Sequence, residues 1–439
     1  MTATSLPWRR TLGALLRGRV PGQLVIQYTD HCNALCAQCG MNARSGIPRS
    51  VLGADKAVAL VDAAAEKGFL ALSFTGGEPL LHLGEIAELS RRARTKGIPL
   101  VRTGTNGFLF RGHEKPDFPD RLRRLAETVA ESGLNNFWIS LDSADPAVHE
   151  RNRGLPGMVR GVEKALPVFR EFGLYPAANL GVNRLVGGGT PPPPAAEDPD
   201  GFREHFLAAF LRFYSFAESL GFTTVNACYP MSLPEDRARE QAVYAATSAD
   251  DMVRFSGLER PLLYRALLAA VESFRHRLRV FTPRSALLSL IREHEGGEAA
   301  FPCRGGVDFF FVQAGGLTAF PGGYRGGEPL GPFPDLDVSR LSRRASCSAC
   351  DWECFRDPST LAGPLLELAM RPLAGVWRLL RDRELALLPR LWEFLVAQRA
   401  GRLAHGPFRP SRSDGKRPEA HPGGLSRAVS ACLPLPEGV

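Results

Sequence analysis

Leu24-Val25-Ile26-Gln27-Tyr28-Thr29-Asp30-His31-Cys32-Asn33-Ala34-Leu35-Cys36-Ala37-Gln38-Cys39 is the stretch on which the reading of this chain turns. Its first six residues, β-branched, aromatic and apolar, read as a strand, and a loop with three cysteines follows at once. The spacing is C-x3-C-x2-C. Three thiolates on one loop can grip three corners of a cubane iron–sulfur cluster and leave the fourth iron without a protein ligand. An iron with a vacant position can bind a substrate rather than only relay electrons. Zinc ribbons use two-residue gaps and ferredoxin loops carry four cysteines, and this loop does neither. On the triplet alone, a structural zinc knuckle or three unrelated thiols stay open as readings.

One strand–helix unit later, Leu70-Ala71-Leu72-Ser73-Phe74-Thr75 reads as a second strand and ends in Gly76-Gly77-Glu78-Pro79. Glycines allow close backbone approach, and Glu78 offers an anion for an ammonium group. A lone Gly-Gly-Glu would carry little weight, since it could simply cap a strand and open a helix. Placed one unit after the cysteine triplet, it makes the chain resemble the radical S-adenosylmethionine (radical SAM) enzymes. That resemblance implies a [4Fe–4S] cluster on Cys32, Cys36 and Cys39, with SAM chelating its free iron. It also implies that Gly76, Gly77, Glu78 and Pro79 hold the SAM amino group.

Further along, strand-like and helix-like stretches alternate. Helical periodicity over 54–67, 83–94, 121–132, 158–172 and 201–220 separates strands over 100–105, 136–141, 175–182 and 222–228. Six strand–helix units with right-handed crossovers build a curved parallel sheet. The resemblance names the α/β fold expected: a partial (β/α)6, TIM-like radical SAM barrel over 23–230, preceded by an extension, 1–22. A helical linker is expected over 231–300, a small cysteine-containing α+β module over 301–358, and C-terminal helices over 359–398. Residues 399–439 read as a disordered basic tail, rich in Pro, Gly and Ser. Gly187-Gly188-Gly189-Thr190-Pro191-Pro192-Pro193-Pro194 reads as an extended loop, more simply a surface insertion than a border of the active-site mouth.

The 439 residues hold 54 Lys and Arg against 46 Asp and Glu, a net charge of +8. Seven basic and three acidic residues of that balance fall in 399–439, so about half the excess sits in one tail and nucleic-acid binding is not expected. Nine cysteines in a chain this long do not form a disulfide framework. Seven fall in two clusters with metal-ligand spacing, which suits a reducing cytoplasm. Thr11-Leu12-Gly13-Ala14-Leu15-Leu16 is too short for a signal-peptide core, and no apolar run approaches the roughly 18 residues a membrane span needs.

The second cluster comprises Cys303, Cys347, Cys350 and Cys354. Between the first two lie apolar runs, 308–312 and 317–320, joined by Gly315-Gly316 and read as a β-hairpin. The set resembles in part the SPASM and twitch modules that follow many radical SAM barrels and hold auxiliary clusters. It lacks a thiol just after the hairpin glycine, where Phe320-Pro321-Gly322 stands, and only Cys432 lies downstream. Four cysteines suffice for one auxiliary [4Fe–4S] cluster, or equally for a tetrahedral zinc site.

The family pattern implies further SAM contacts at later strand ends. Thr105 and Asn106 would lie near the adenosine, Ser140 and Asp142 near the ribose, Arg153 against the SAM carboxylate, and Asn183 as a weaker ribose candidate. Gln38 stands where the family usually has an aromatic residue against the adenine. A surface arginine is the plain alternative for Arg153. Cys228 and Tyr229, at the end of the sixth strand, are candidate hydrogen-atom donors or acceptors, although a lone buried cysteine is ordinarily a small hydrophobe.

The resemblance therefore implies an enzyme that reductively cleaves SAM to a 5′-deoxyadenosyl radical and abstracts hydrogen from a substrate. A low-potential donor, ferredoxin or flavodoxin, would supply the electron. SPASM likeness favours a peptide or protein substrate. Only about twenty residues precede the first strand, so a separate delivery protein is expected. The leucine- and tryptophan-rich stretch 361–396 keeps a lipid or isoprenoid substrate, and peripheral membrane contact, as the minority reading. A non-catalytic iron–sulfur or zinc scaffold is the alternative of another class.

Overall fold

The computed structural model describes residues 8–43, 49–230, 243–244, 247–299, 301–348 and 350–381. The expected tail, and the part of the C-terminal helices that holds Trp392 and Phe394, lie outside the described residues.

The chain opens with helix α1 (Trp8–Leu16), then strand β1 (Gln23–Thr29) and the short α2 (Gly40–Ala43). Next come α3 (Ala54–Glu66), β2 (Ala71–Gly76), α4 (Leu83–Thr95) and β3 (Leu100–Thr105). They are followed by α5 (Phe118–Glu131), β4 (Asn136–Leu141), α6 (Pro146–Arg153), α7 (Met158–Glu171) and β5 (Ala177–Gly181). Helix α8 (Pro199–Leu220) leads to β6 (Thr224–Cys228). The stretch read as one helical linker is α9 (Glu259–Phe274), a two-residue strand β7 (Arg279–Val280) and α10 (Arg284–His294). A hairpin, β8 (Phe309–Val312) and β9 (Ala319–Phe320), and helices α11 (Glu353–Met370) and α12 (Pro372–Arg381) complete the described chain.

The fold is the α/β partial barrel expected. Among the described residues, nine strands form one sheet in the order β7-β6-β5-β4-β3-β2-β1-β8-β9, with β7 and β9 at its two ends. Pairings β1 through β7 are parallel. Strand β8 extends the sheet by pairing parallel to β1, Gln23 opposite Phe309 and Ile26 opposite Val312. The hairpin of the cysteine module is thus also part of the barrel wall.

Buried helix faces show why the crossovers pack outside. In α7, Val159, Val162, Leu166 and Phe169 recur at helical spacing and are all buried. Phe169 meets Phe110 and Phe137 edge-on, at 6.0 and 5.9 Å between ring centroids. On the sheet's other face, alternate residues line an interior cavity of about 580 Å³, mostly apolar, which reaches the cysteine loop. Gly104 makes room inside: a Cβ there would lie 1.8 Å from the Trp138 indole nitrogen.

Candidate active site

The cysteine loop and the Gly76–Pro79 turn are built against each other. The Gly77 amide donates to the Thr29 carbonyl at 2.7 Å and the Glu78 amide to the His31 carbonyl at 2.8 Å. A Cβ on Gly76 would come within 2.3 Å of the Thr29 oxygen, and one on Gly77 within 2.1 Å of the His31 oxygen. Only glycine permits that approach. The tight contact explained in the sequence by a ligand is here a contact with the backbone that introduces Cys32.

Glu78 is fully buried and accepts three protein donors. The Leu80 amide reaches Oε1 at 2.9 Å, the Asn106 amide reaches Oε2 at 2.5 Å, and the Thr105 hydroxyl also bonds the carboxyl. Burial pushes its pKa up to about 7 against these hydrogen bonds and the charge of Arg153. Asn106 ties the site together, because its Nδ2 donates to Asn33 Oδ1 at 2.9 Å and lies 3.5 Å from Cys32 Sγ.

A second network holds the other side of the loop. Arg153 grips Asp142 through two hydrogen bonds, Nε to Oδ2 at 2.7 Å and Nη2 to Oδ1 at 2.8 Å, with Asp142 buried and Arg153 half-buried. Burial pushes the Asp142 carboxyl up, but Arg153, His149 and Gln38 outweigh it and hold the group below its ordinary range. Gln38 spans this pair and the neighbouring helix, donating to Asp142 Oδ2 at 3.0 Å and accepting from Asn152 Nδ2 at 2.8 Å. The Leu35 amide, between the first two cysteines, donates to the Arg153 carbonyl at 2.8 Å. Helix α6 presents Arg153 in its last turn, started by Asp145, which caps Ala147 and Val148, and stopped by left-handed Gly154. His149 receives the Asp142 amide on Nδ1 at 3.0 Å, and burial pushes its pKa down to about 4.

Of the residues singled out in the sequence, Cys32, Cys36, Gln38, Cys39, Gly76–Pro79, Thr105, Asn106, Ser140, Asp142, Arg153, Cys228 and Tyr229 all line the one cavity. Asn183 is not among its lining residues. Its Nδ2 donates to the carbonyls of Asp142 and Gly181, at 2.8 and 2.7 Å, so it shapes the turn behind Asp142. Cys228 is held by Asn179, whose Nδ2 lies 3.2 Å from Sγ, and the Tyr229 hydroxyl donates to Asp357 Oδ1 at 3.1 Å. The Thr190–Pro194 stretch does not line the cavity.

The second cysteine set divides. Cys303 and Cys347 sit on facing backbone, the Cys303 amide donating to the Cys347 carbonyl at 3.0 Å, and their thiols hydrogen-bond. Cys350 adds its electrostatic influence to this pair, and burial pushes its own pKa up to about 12. Asp351 anchors the loop by accepting from Arg260, Tyr264 and His294 at 2.6, 2.7 and 2.9 Å. Cys354, in the first turn of α11, faces elsewhere. It lines the cavity, where Cys303, Cys347 and Cys350 do not, and its sulfur lies 3.6 Å from Glu353 Oε1.

Tyr244 links the two halves, sharing a 3.1 Å hydrogen bond between its hydroxyl and Thr75 Oγ1 while its ring stacks on Trp352. Sequence reasoning passed over Asn33, Asn152, His149 and Tyr244, none of which belongs to a spaced motif. Among the described residues, no three His, Cys, Asp or Glu side chains are gathered closely enough to hold a single metal ion. A cubane suits the triplet on other grounds: three thiols share one short loop beside a buried carboxylate and an open cavity. Among the described residues, no helix is long and apolar enough to cross a membrane.

Residues 26–192 match the Radical SAM superfamily. The chain is 29% identical to the AdoMet-dependent heme synthase of Nitratidesulfovibrio vulgaris, over 36% of its own length and 40% of the relative's. It is also 29% identical to the probable GTP 3′,8-cyclase of Thermococcus kodakarensis, over 38% of its length and 50% of that protein's. The chain thus spans half or less of the length of these relatives. The structure of Streptococcus suis SuiB bound to precursor peptide SuiA aligns at 15% identity with a TM-score of 0.49, covering 76% of this chain and 67% of that one.

Proposed function

From a chain whose residues 26–192 are a radical SAM domain, we propose an enzyme that cleaves SAM reductively and draws hydrogen from a substrate held inside the barrel. The observation that carries this reading is the single cavity joining the three-cysteine loop, the buried Glu78 and the barrel interior. Cys32, Cys36 and Cys39 would hold the [4Fe–4S] cluster. Cluster and SAM together supply, when bound, the one-electron cleavage that yields methionine and a 5′-deoxyadenosyl radical. The chain's own residues bind and orient. Glu78, when ionised, receives an ammonium group in a site that already satisfies its other lone pairs. Asn106 donates toward the Cys32 sulfur and fixes the loop against Glu78. Arg153 already holds Asp142 bidentately, so a SAM carboxylate would share that guanidinium and not meet it unpaired. Gln38 serves as a tether between Asp142 and Asn152, which accounts for a polar amide at a position where a stacking ring is usual.

Cys303, Cys347 and Cys350 would hold an auxiliary cluster, with Cys354 turned to the reaction cavity instead of completing it. The SPASM-like pattern favours a peptide or protein substrate, and ferredoxin or flavodoxin would supply the low-potential electron. Two thiol-rich sites suit a reducing cytoplasm.

The test is anaerobic purification, iron analysis, and addition of dithionite and SAM with detection of 5′-deoxyadenosine. About eight irons per chain and 5′-deoxyadenosine are expected. Cys350→Ala should lower iron by about four and Cys354→Ala should leave it unchanged. Zinc in place of iron, with intact SAM, would reject the enzyme reading.

A further inference from the structure

Three charged side chains in the cavity are not used by the SAM site, Arg102, Glu353 and Asp357, and of these Asp357 already accepts from the Tyr229 hydroxyl. Arg102 lies midway along β3, on its interior face. Its Nε donates to Ser73 Oγ at 2.6 Å, and among the described residues its two terminal nitrogens have no hydrogen-bond partner. Glu353 opens α11 and is only 8% exposed. The Cys354 thiol lies 3.6 Å from its Oε1, the Cys228 thiol and its own amide also hydrogen-bond the carboxyl, and its buried Oε2 has no partner within ordinary hydrogen-bond distance among the described residues. The two are not ion-paired with each other, although Arg102 favours the charged form of Glu353 through space, against its burial.

Asn226 Nδ2 donates to Asn179 Oδ1 at 2.9 Å, and Asn179 Nδ2 lies 3.2 Å from Cys228 Sγ. Among the charged side chains that line the cavity, incomplete pairing is confined to one cation and one anion. Leaving either so in a mostly apolar chamber costs free energy, which a ligand of complementary charge would return. The planar fork of an arginine suits a carboxylate, and a carboxylate suits an ammonium.

We propose that Arg102 and Glu353 bind the carboxylate and the ammonium of an α-amino-acid zwitterion, which sets the substrate class of this cavity. The proposal rests on the reading of the cavity as the reaction chamber. It favours a free amino acid, seated between β3 and the first turn of α11, over a peptide, whose internal residues carry neither charge.

The experiment uses the unreduced, SAM-loaded holoenzyme, offered an equimolar mixture of the twenty common L-amino acids. Retained ligand is identified by mass spectrometry after ultrafiltration. One amino acid should be retained, and its decarboxylated amine and its N-acetyl derivative should bind at least about tenfold more weakly. Arg102→Gln and Glu353→Gln should each reduce retention about tenfold, with bound SAM and iron, measured in the same samples, as in the parent. Arg102→Lys should recover part of the loss. Retention of no amino acid by protein that carries SAM, or retention by both Gln variants equal to that of the parent, would overturn the proposal. So would a purely internal pairing, seen as melting temperatures that fall in each single variant and recover in the double variant, with nothing retained. Reduction of the same preparation separates the two readings. Absence of 5′-deoxyadenosine removes the enzyme reading itself, whereas SAM cleavage without amino-acid retention removes only this inference.

Discussion

Glu78 shows how much a single side chain depends on surroundings that the sequence does not spell out. Its motif was legible, and the resemblance implied an ammonium as its partner. Its complete burial and its donors from 80, 105 and 106 were not, since they arise only when β2 and β3 end side by side. Because burial raises its pKa to about 7, the ionised form that binds a cation is lost as pH falls through 7. SAM affinity of the unreduced protein should level off above neutrality and weaken about tenfold for each pH unit below it. Glu78→Gln should bind SAM more weakly at every pH, with that slope gone. Equilibrium binding between pH 5.5 and 8.5 decides (range on the order of the pKa ± 1.5 units), and a flat profile for the parent protein would refute the role. Gln38 makes the opposite case. Its oddity was visible in the motif, but its partners Asp142 and Asn152 lie more than a hundred residues away and no local pattern announces them.

At the scale of elements, strands were legible because β-branched and aromatic runs end at glycine or asparagine. Strands 100–105 and 136–141 fall at their expected bounds. Helix α6 was passed over as an element because it is eight residues long and mostly polar, and tertiary contacts supply what its composition lacks. The β1–β2 junction carries the sharpest consequence. With Gly77 packed against the His31 carbonyl, Gly77→Ala must push the cysteine loop away or strain the turn. The expected result is a stable barrel with a damaged loop, because the strain falls beyond the ladder of the two strands. Gly77→Ala should lower iron retained at the triplet at least severalfold while the melting temperature of the metal-free protein drops by less than about 4 °C, the shift that roughly 1 kcal/mol can produce in a large domain. Normal iron content in Gly77→Ala would show that the loop is not seated through this contact.

For the whole molecule, the division into a barrel followed by a separate cysteine module was the natural reading of a chain whose pattern changes after Pro230. Long-range register is what it could not contain. Strand β8 arrives about 280 residues after β1 and pairs with it in parallel, a partnership that no spacing encodes. All seven residues of β1 are buried, and all four of β8. Phe310 packs against Phe69 and Phe333, so the module also closes the core beneath β1 and β2. Removing it would bare a fully buried strand as a new edge, a template for aggregation. It would also expose several large side chains, each worth about 1.5–3 kcal/mol of burial. That sum rivals the roughly 5–15 kcal/mol by which a domain is stable. A fragment ending at Pro230 should therefore fail to give a soluble protein with a cooperative melting transition. The chain through residue 381 should melt in one transition that includes both cysteine sites. Calorimetry of the two checks this, and an independently folding 1–230 fragment would show that barrel and module are separable after all.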